Sequence, residues 1–555
     1  MEKERVELAI EGMTCDHCAV TIQHALTGVA GVERADVSFP EKRAHISTTK
    51  AATPETLVRA VENAGYRASV VEPPASRATP SQRAPHVSSG GKQDIVVLGG
   101  GSAGFAASIR AAELGARVTL IEGGTLGGTC VNVGCVPSKT LIRAAEVQHR
   151  AASHAFDGVR TAAQAPDFPK VMAQKDALVT ALRQEKYWDV LSAYSNVTLR
   201  QGRGTVKRDL SIAIDGEVLK AGRLIVTTGA APWAPPISGL AEAGCLTSTE
   251  ALALTKRPES LIVIGGSAVG LEIAQLYARL GTQVTVLEAM RTLVPAEDAE
   301  VGTALADYLR EEGLEVRTGL SIGRVRRASD GYTVEATTDG RAETFTAEQL
   351  LVATGRRANT RGFGLEEAGI ELGKKGEIRV NEHLQTSRPE VYAAGDVIGD
   401  PMFVYVAAYG GNLAADNALN GNSRRYDLSA LPRVTFTDPQ VASVGLTEEE
   451  ARNKGIDLAT SKLPLSYVPR ALAARETRGF IKLVADRRSN RLVGAHILAT
   501  EAGEMIQEPT LAIKHGISIE DLAAAFHPYL TLAEGIKLAA QTFTKDVKKL
   551  SCCAA

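Results

Sequence analysis

One stretch of this chain is written twice. DIVVLGGGSAGFAASIRAAELGARVTLIEGG at 94–124 recurs, without a gap, as SLIVIGGSAVGLEIAQLYARLGTQVTVLEAM at 260–290. Each copy reads as an apolar strand, a glycine-rich turn, an amphipathic helix, a second apolar strand and then an acid. A strand that feeds a helix and then a parallel strand is a βαβ unit, so the repeat commits the chain to an α/β class with two such units.

The turn residues say what the units are for. Gly99, Gly101 and Gly104 of the first copy align with Gly265, Ser267 and Gly270 of the second, and Glu122 aligns with Glu288. In a G-x-G-x-x-G turn the first glycine makes the tight bend. The second lets backbone approach a pyrophosphate, and the third lets helix meet strand. The phosphates sit at the helix N-terminus, and the acid accepts hydrogen bonds from a ribose 2′-OH. Ser267 is the one departure, because it sets a side chain where the pyrophosphate comes close. Two dinucleotide folds imply two dinucleotides, and with cysteines nearby the natural pair is flavin plus nicotinamide. Glu288 would repel a 2′-phosphate and favours NADH. Arg291, three residues on, could accommodate that phosphate, so NADPH and NADH both stay open.

Six of the seven cysteines fall in close pairs, Cys15/Cys18, Cys130/Cys135 and Cys552/Cys553. A secreted framework would scatter them to staple distant segments, whereas short-range pairs point to metal or redox chemistry in a reducing compartment. Cys245 stands alone and is expected to be a small buried apolar residue. Cys130 and Cys135, in GGTCVNVGCVPSKTL, can close a disulfide if the turn between them brings their Cα atoms to about 5.5 Å. CVPSKTLIRAAEV reads as a helix start, which lowers the thiolate pKa of Cys135. Zinc would need four ligands, and no second pair is nearby, so a redox-active dithiol is expected.

Charge narrows the partners. Sixty-two Lys and Arg against 64 Asp and Glu leave no broad basic face for nucleic acid or an anionic membrane. No apolar run approaches the ~18–20 residues that span a bilayer. The start, MEKERVELAIEG, has no signal-peptide pattern, so a cytoplasmic enzyme is expected.

Residues 72–92, EPPASRATPSQRAPHVSSGGK, carry no apolar periodicity and read as a linker. As flexible coil it would span about 25 Å r.m.s. and hold a tethered unit at an effective concentration on the order of millimolar. The unit before it reads as strand RVELAI, helix CAVTIQHALTG closing on Gly28, and strands VERADVSF and RAHIST. A helix then starts with Thr53 as N-cap and Pro54 at N1 and ends at Gly65, and YRASVVE is a last strand. The order βαββαβ is that of a small ferredoxin-like sandwich.

GGTCVNVGCVPSK, together with VTTGAAP at 226–232, LLVATGRRAN at 350–359 and VYAAGDV at 391–397, resembles the flavin disulfide reductases, the class I pyridine nucleotide-disulfide oxidoreductases. The resemblance covers roughly 94–555. It implies FAD on the first repeat, NAD(P)H on the second, and a homodimer whose active site spans both subunits. It places Gly99, Gly101, Ser102, Ala103, Gly104, Glu122, Gly128, Thr129, Gly229 and Asp396 at the FAD, Asp396 on its ribityl chain. At the nicotinamide dinucleotide it places Gly265, Ser267, Gly270, Glu288, Arg291 and Gly355. Lys139 and Glu272 match the ion pair beside the flavin ring. Members that reduce organic disulfides carry an acid–base histidine near the C-terminus. Here AAFHPYLTLAEG, aligned on Glu534, puts Tyr529 at that position, with His527 two residues away. A tyrosine, with a pKa near 10, is a poor base at neutral pH.

The ending PYLTLAEGIKLAAQTFTKDVKKLSCCAA instead resembles the mercury(II)-reducing members, and GMTCDHC resembles heavy-metal-associated domains. Thiolates select soft metal ions, and a Cys15/Cys18 pair is a two-coordinate sulfur clamp. Met13 is expected as a loop anchor and His17 as solvent-facing. The resemblance implies a relay in which Hg(II) passes from Cys15/Cys18 to Cys552/Cys553 of one subunit. It then reaches Cys130/Cys135 of the other, with Cys135 against the flavin and Cys130 the outer partner. Tyr529 would line the metal site, and Tyr187, in LRQEKYWDVL, matches a second active-site tyrosine.

The expected layout follows. A heavy-metal-associated domain covers 1–72, a linker 73–92, the first part of an FAD-binding domain 93–245, an NAD(P)H-binding domain 246–362 and a further FAD-binding or central region 363–430. An α+β dimerisation domain with the Cys-Cys tail covers 431–555. The expected activity is reduction of Hg(II), delivered as thiol complexes or by a carrier, to volatile Hg(0), a detoxification. Two alternatives are a dihydrolipoamide dehydrogenase-like reductase with a metal-binding appendage and a metal-trafficking flavoprotein whose N-terminal domain carries copper.

Overall fold

The computed structural model describes residues 4–11, 22–23, 25–29, 31–38, 43–48, 52–64, 66–70, 91 and 93–549. The chain divides into two compact units, Met1–Pro85 and His86–Ala555. Cys15, Cys18, Met13, His17, Gly65, Cys552 and Cys553, and nearly all of the expected linker, lie outside the described residues.

The N-terminal unit is a four-stranded antiparallel sheet in the order Val32–Ser38, Arg43–Thr48, Glu4–Glu11, Arg67–Val70. Arg43–Thr48 alternates between exposed and covered positions, the period of a strand with one face on a core. That core collects Leu8, Ile10, Ile22, Leu26, Ile46, Leu57 and Val61. The helix Pro54–Asn63 begins where Thr53 and Pro54 predict. The Thr53 side chain, however, makes no cap bond to the helix backbone; its hydroxyl meets the Glu55 carboxylate, a charged and stronger acceptor.

In the larger unit the written repeat becomes a repeat of structure. The first sheet is parallel, in the order Val391–Ala393, Arg223–Val226, Asp94–Leu98, Arg117–Glu122, Val197–Gln201. The second is parallel as well, in the order Glu315–Thr318, Gln283–Glu288, Ser260–Ile264, Gln349–Val352. Asp94 pairs with Arg117 and Ser260 with Gln283, the same register carried over by an offset of 166 residues. All five residues of Asp94–Leu98 are buried, as expected of a central strand covered by helices on both faces.

The two sheets are stitched to each other and to a third. Ala230–Pro232 pairs with Arg356–Ala358, bringing the chain back across from the second fold to the first. Val391–Ala393 then becomes an edge of the first sheet. A five-stranded antiparallel sheet follows in the order Arg433–Thr435, Gln440–Gly445, Arg491–Ala499, Phe480–Asp486, Leu458–Pro464. Its inner face is closed by helices that include Glu534–Gln541. The fold is α/β throughout the nucleotide-binding part and α+β beyond it.

Candidate active site

Cys130 and Cys135 sit on successive helices, Gly128–Val133 and Cys135–Ala152, with Gly134 between them. Gly134 leads the chain so tightly past Thr129 that a Cβ there would lie 3.0 Å from the Thr129 carbonyl oxygen. That bend folds the five-residue spacing back on itself and brings both thiols to one end of a cavity of about 650 Å³. Cys135 is the first residue of its helix, as the sequence predicts, and its thiol is pulled down to about 7. The largest cause is the hydrogen bond from the Cys130 thiol, followed by the Lys139 ammonium, while burial and Glu272 oppose them. Cys130, the donor, is pushed upward for the same reason. In the reduced pair Cys135 therefore gives up its proton before Cys130.

Lys139 is one turn further along that helix, and its Nζ lies 2.5 Å from the Glu272 carboxylate on the helix Ala268–Arg279. Glu272 is buried and also accepts from the Phe436 N–H at 3.0 Å, while the Lys139 ammonium stands 4.6 Å above the Phe436 ring. The helix of the second repeat thereby places an acid in the cavity of the first.

The rest of the cavity is the first repeat. Gly99, Gly101, Ser102 and Ala103 line it from the turn and helix start, and Glu122 from the second strand. Gly128, Thr129, Gly229 and Asp396 line it from three further loops. Gly104 does not; it lies behind, where a Cβ would fall 1.8 Å from the Gly99 carbonyl oxygen, so it is the close-approach glycine of the motif. Gly101 is the opposite case: a Cβ there would meet no protein atom nearer than Gly128 Cα at 3.7 Å, so its missing side chain leaves room for a ligand. Glu122 is held by the N–H groups of Gly100 and Gly124, both at 2.6 Å. This cradle of bare backbone, helix N-terminus and fixed acid fits an adenine dinucleotide.

Several residues here were not singled out from the sequence. Arg356 lines the cavity 3.8 Å from the Asp396 carboxylate and within 3.4 Å of the Thr129 hydroxyl. Burial pushes its guanidinium down, while the charges of Asp396 and Cys135 push back. Its only sequence signal is its place in LLVATGRRAN. Tyr405 is close enough to Cys135 to feel its charge; burial above all holds its phenol up to about 12, and its hydroxyl donates to the Pro432 carbonyl.

Tyr187 lies on a single π-helical turn, Gln184–Trp188, inserted between α-helical segments. It is half-buried, edge-on to Phe105 at 4.7 Å, with its hydroxyl on Ser102, and burial raises its pKa while both cysteines add to the rise. A π-helical turn of this kind is a feature common at functional sites.

Tyr529 does not line the cavity of its own chain and is 61% exposed. His527 is engaged elsewhere: its ring is buried and its Nε2 lies 2.9 Å from Glu508. Among the described residues no histidine lines the cavity. Glu534 is buried, with Oε2 lacking a hydrogen-bond partner among the described residues. Cys245 is only partly buried, against the expectation, because it packs at the margin of the core around Ile262 and Leu350.

In the second repeat Gly265 has a φ of 115° and Gly270 approaches its carbonyl as Gly104 approaches that of Gly99. Ser267 is the N-cap of Ala268–Arg279 but its side chain makes no cap bond. Glu288 is buried, Arg291 is exposed, and Gly355, at a φ of 125°, faces open space. Among the described residues no group of three or more His, Cys, Asp or Glu is placed to hold a metal ion. No helix among them is long and apolar enough to cross a membrane.

Two nucleotide folds that share one cavity with a low-pKa dithiol define a flavin- and nicotinamide-dependent dithiol oxidoreductase. Residues 93–411 match the pyridine nucleotide-disulphide oxidoreductase family, 431–540 its dimerisation domain and 7–67 the heavy-metal-associated domain. Among solved structures, the HOCl-induced flavoprotein disulfide reductase RclA from Escherichia coli matches at 28% identity and a TM-score of 0.72, covering 81% of this chain and 99% of its own. LpdA from Mycobacterium tuberculosis matches at 29% and 0.71, over 81% and 99%. The mercuric reductase of Staphylococcus aureus is 42% identical over 100% of both chains, and that of Acidithiobacillus ferrooxidans 45% over 100% of both. That of Streptomyces lividans is 47% identical over 83% of this chain and 98% of its own. The chain belongs to the mercuric reductase family.

Proposed function

We propose that this protein reduces mercury(II) to elemental mercury at the expense of NAD(P)H, in the overall reaction Hg(II) + NAD(P)H → Hg(0) + NAD(P)⁺ + H⁺, and so detoxifies the metal. Bound FAD and NAD(P)H supply the two electrons. The observation that carries the reading is a dithiol with one depressed thiol in a chain that bears Tyr529 where the organic-disulfide reducers it resembles bear a histidine. Reduction of an organic disulfide needs a base to move the thiol proton, whereas a soft metal ion needs a second sulfur.

The residues of this chain divide the work. The Cys135 thiolate attacks an incoming mercury–thiol complex, one thiolate leaves, and Cys130 displaces the other as it gives up its proton. Lys139, held by Glu272, stabilises the Cys135 anion before the metal arrives. Arg356 and Asp396 hold opposite charges at the wall where the isoalloxazine and ribityl groups of FAD would lie. Tyr187, steadied by Phe105 and Ser102, offers a phenol oxygen beside the sulfur pair.

The same reading assigns metal delivery to the remaining sulfur pairs. Cys15 and Cys18 collect the ion, and Cys552 and Cys553, from the other subunit of a homodimer, pass it to Cys130 and Cys135. Tyr529 joins the site from that other subunit, which accounts for its exposure in a single chain. The setting is cytoplasmic, where thiols stay reduced.

Anaerobic oxidation of NADH and of NADPH, followed at 340 nm with mercury vapour trapped in parallel, tests the function. Oxidation should require Hg(II) in excess thiol and release one Hg(0) for each nucleotide consumed. Oxidation that responds to an organic disulfide and not to Hg(II) would overturn the reading.

A further inference from the structure

We infer that Gln275 is a positioning residue of the active site. Its amide seats the loop 436–438 on the helix Ala268–Arg279, and that seat fixes the Glu272–Lys139 pair beside the dithiol. Glu272, Gln275 and Arg279 stand three and four residues apart on the helix, so their side chains leave one face. All three reach the same loop. Gln275 is 4% exposed, and both ends of its amide are committed. Its Oε1 accepts from the Asp438 N–H at 2.8 Å. Its Nε2 donates to the Asp438 carbonyl at 2.8 Å and to the Glu312 carboxylate at 3.0 Å. A side chain that pairs with both backbone groups of one residue does what a neighbouring strand would do, and an amide supplies the donor and the acceptor. Arg279 holds the Asp438 carboxylate at 2.9 Å, and the Thr437 hydroxyl closes the turn on the Pro439 carbonyl at 2.8 Å.

The consequence appears two residues back along the loop. The Phe436 N–H donates to Glu272 Oε1 at 3.0 Å, which leaves Oε2 for the Lys139 ammonium at 2.5 Å. The Phe436 ring lies 4.6 Å from that ammonium. One loop residue thus fixes the acid by its backbone and the cation by its ring. Lys139 is one helical turn from Cys135, and its charge favours the Cys135 thiolate that forms when the disulfide opens. Without the Gln275 amide, the Asp438 N–H and carbonyl lose their partners, and the loop must shift to find others. Both grips on the pair move with it. Gln275 itself does not line the cavity; it acts through Phe436.

Gln275→Met, which keeps the length and removes both polar ends, tests this in the FAD-loaded full-length protein without mercury. The measurement is one anaerobic turnover, disulfide + NAD(P)H + H⁺ → dithiol + NAD(P)⁺, followed at 340 nm with the visible band of the flavin recorded beside it. The rate should fall by ~10-fold, about the weight of one lost hydrogen bond. The flavin band should shift as well, because Lys139 and Glu272 line the cavity that fits it. In a Lys139→Met background the same substitution should cost less than ~2-fold, since the pair it serves is already gone. A merely structural Gln275 would lower the thermal midpoint in both backgrounds and leave the parent rate and band in place. That result, or two effects that multiply, overturns the inference. Should Gln275→Met fold poorly, Gln275→Asn, one methylene shorter, is read by the same criteria. The role rests on the nicotinamide-driven dithiol proposed above, and the two fail differently: failure of the reaction would appear as a disulfide that NAD(P)H reduces in a parent protein that yields no Hg(0).

Discussion

At the scale of single residues, the chemistry turns on keeping Cys135 deprotonated inside a cavity that disfavours charge. Burial alone would raise its pKa; the Cys130 hydrogen bond and the Lys139 ammonium reverse the sign. A group whose pKa is depressed is charged above the lowered value and loses the charge as pH falls through it. In the reduced protein, alkylation of Cys135 should therefore rise with pH around a midpoint near 7, well below the ~8.5 of a free thiol. Lys139→Met removes a cation and leaves the Glu272 carboxylate unbalanced, so the midpoint should climb toward the free-thiol value. An unchanged midpoint, read by mass spectrometry of the labelled peptide, would show that Lys139 plays no part. A second prediction concerns shape: Gly104→Ala would drive a Cβ into backbone at 1.8 Å, and overpacking of this kind should cost at least ~2 kcal/mol and the bound flavin with it. Retention of flavin absorbance and of the thermal midpoint would contradict it.

At the scale of elements, two features set the geometry. The π-helical turn Gln184–Trp188 holds one more residue than an α-helical turn and points Tyr187 at Phe105 and Ser102. Deleting the exposed Glu185 should restore a regular helix, keep the fold and rotate Tyr187 off its partners. Mercury reduction should then fall by ~10-fold or more, the weight of a well-placed hydrogen bond. Near-normal turnover in the folded deletion variant would reduce the turn to a structural accident. The second feature joins the antiparallel sheet to the second nucleotide fold. Lys482, on the strand Phe480–Asp486, is 4% exposed in its side chain and lies within 2.9 Å of Asp298, Glu300 and Glu448. Asp298 is the N-cap of the helix Ala299–Glu311, so one cation holds two elements together. Lys482→Met should leave Asp298 without its cation, while Glu300 keeps Lys462 and Glu448 keeps Arg452, and cost on the order of 3 kcal/mol, seen as a lower thermal midpoint.

At the scale of the whole molecule, residues 431–540 match the family's dimerisation domain, and the proposed function has two subunits share each site. If the tail of one subunit serves the dithiol of the other, defects in each should complement. Cys135→Ser alone should be folded, yellow and inactive, and the double variant C552A/C553A alone should fail with mercury presented as a glutathione complex. In a mixed population, half the dimers are hybrids with one intact composite site, so roughly a quarter of the parent activity should return. No recovery of mercury vapour on co-expression would place the tail and the dithiol of one chain together.

The sequence by itself determined what depends on short stretches of chain. The βαβ repeat was legible because strand and helix periods are local, and its register survived to the residue, with Asp94–Arg117 repeated as Ser260–Gln283. The dithiol was legible because a five-residue spacing and a helix start are local too. Only the tertiary structure decided what lies between distant stretches. It brought Arg356 to Asp396 and Thr129 and bound His527 to Glu508, and it gave the Lys139–Glu272 pair, which the sequence offered only through the resemblance, its contact across 133 residues. It also inserted the π-helical turn under Tyr187, which no local pattern announced. The physical reason is one of range. Backbone preference and side-chain period act within a few residues, whereas an ion pair across two domains exists only once packing has fixed both helices that carry it.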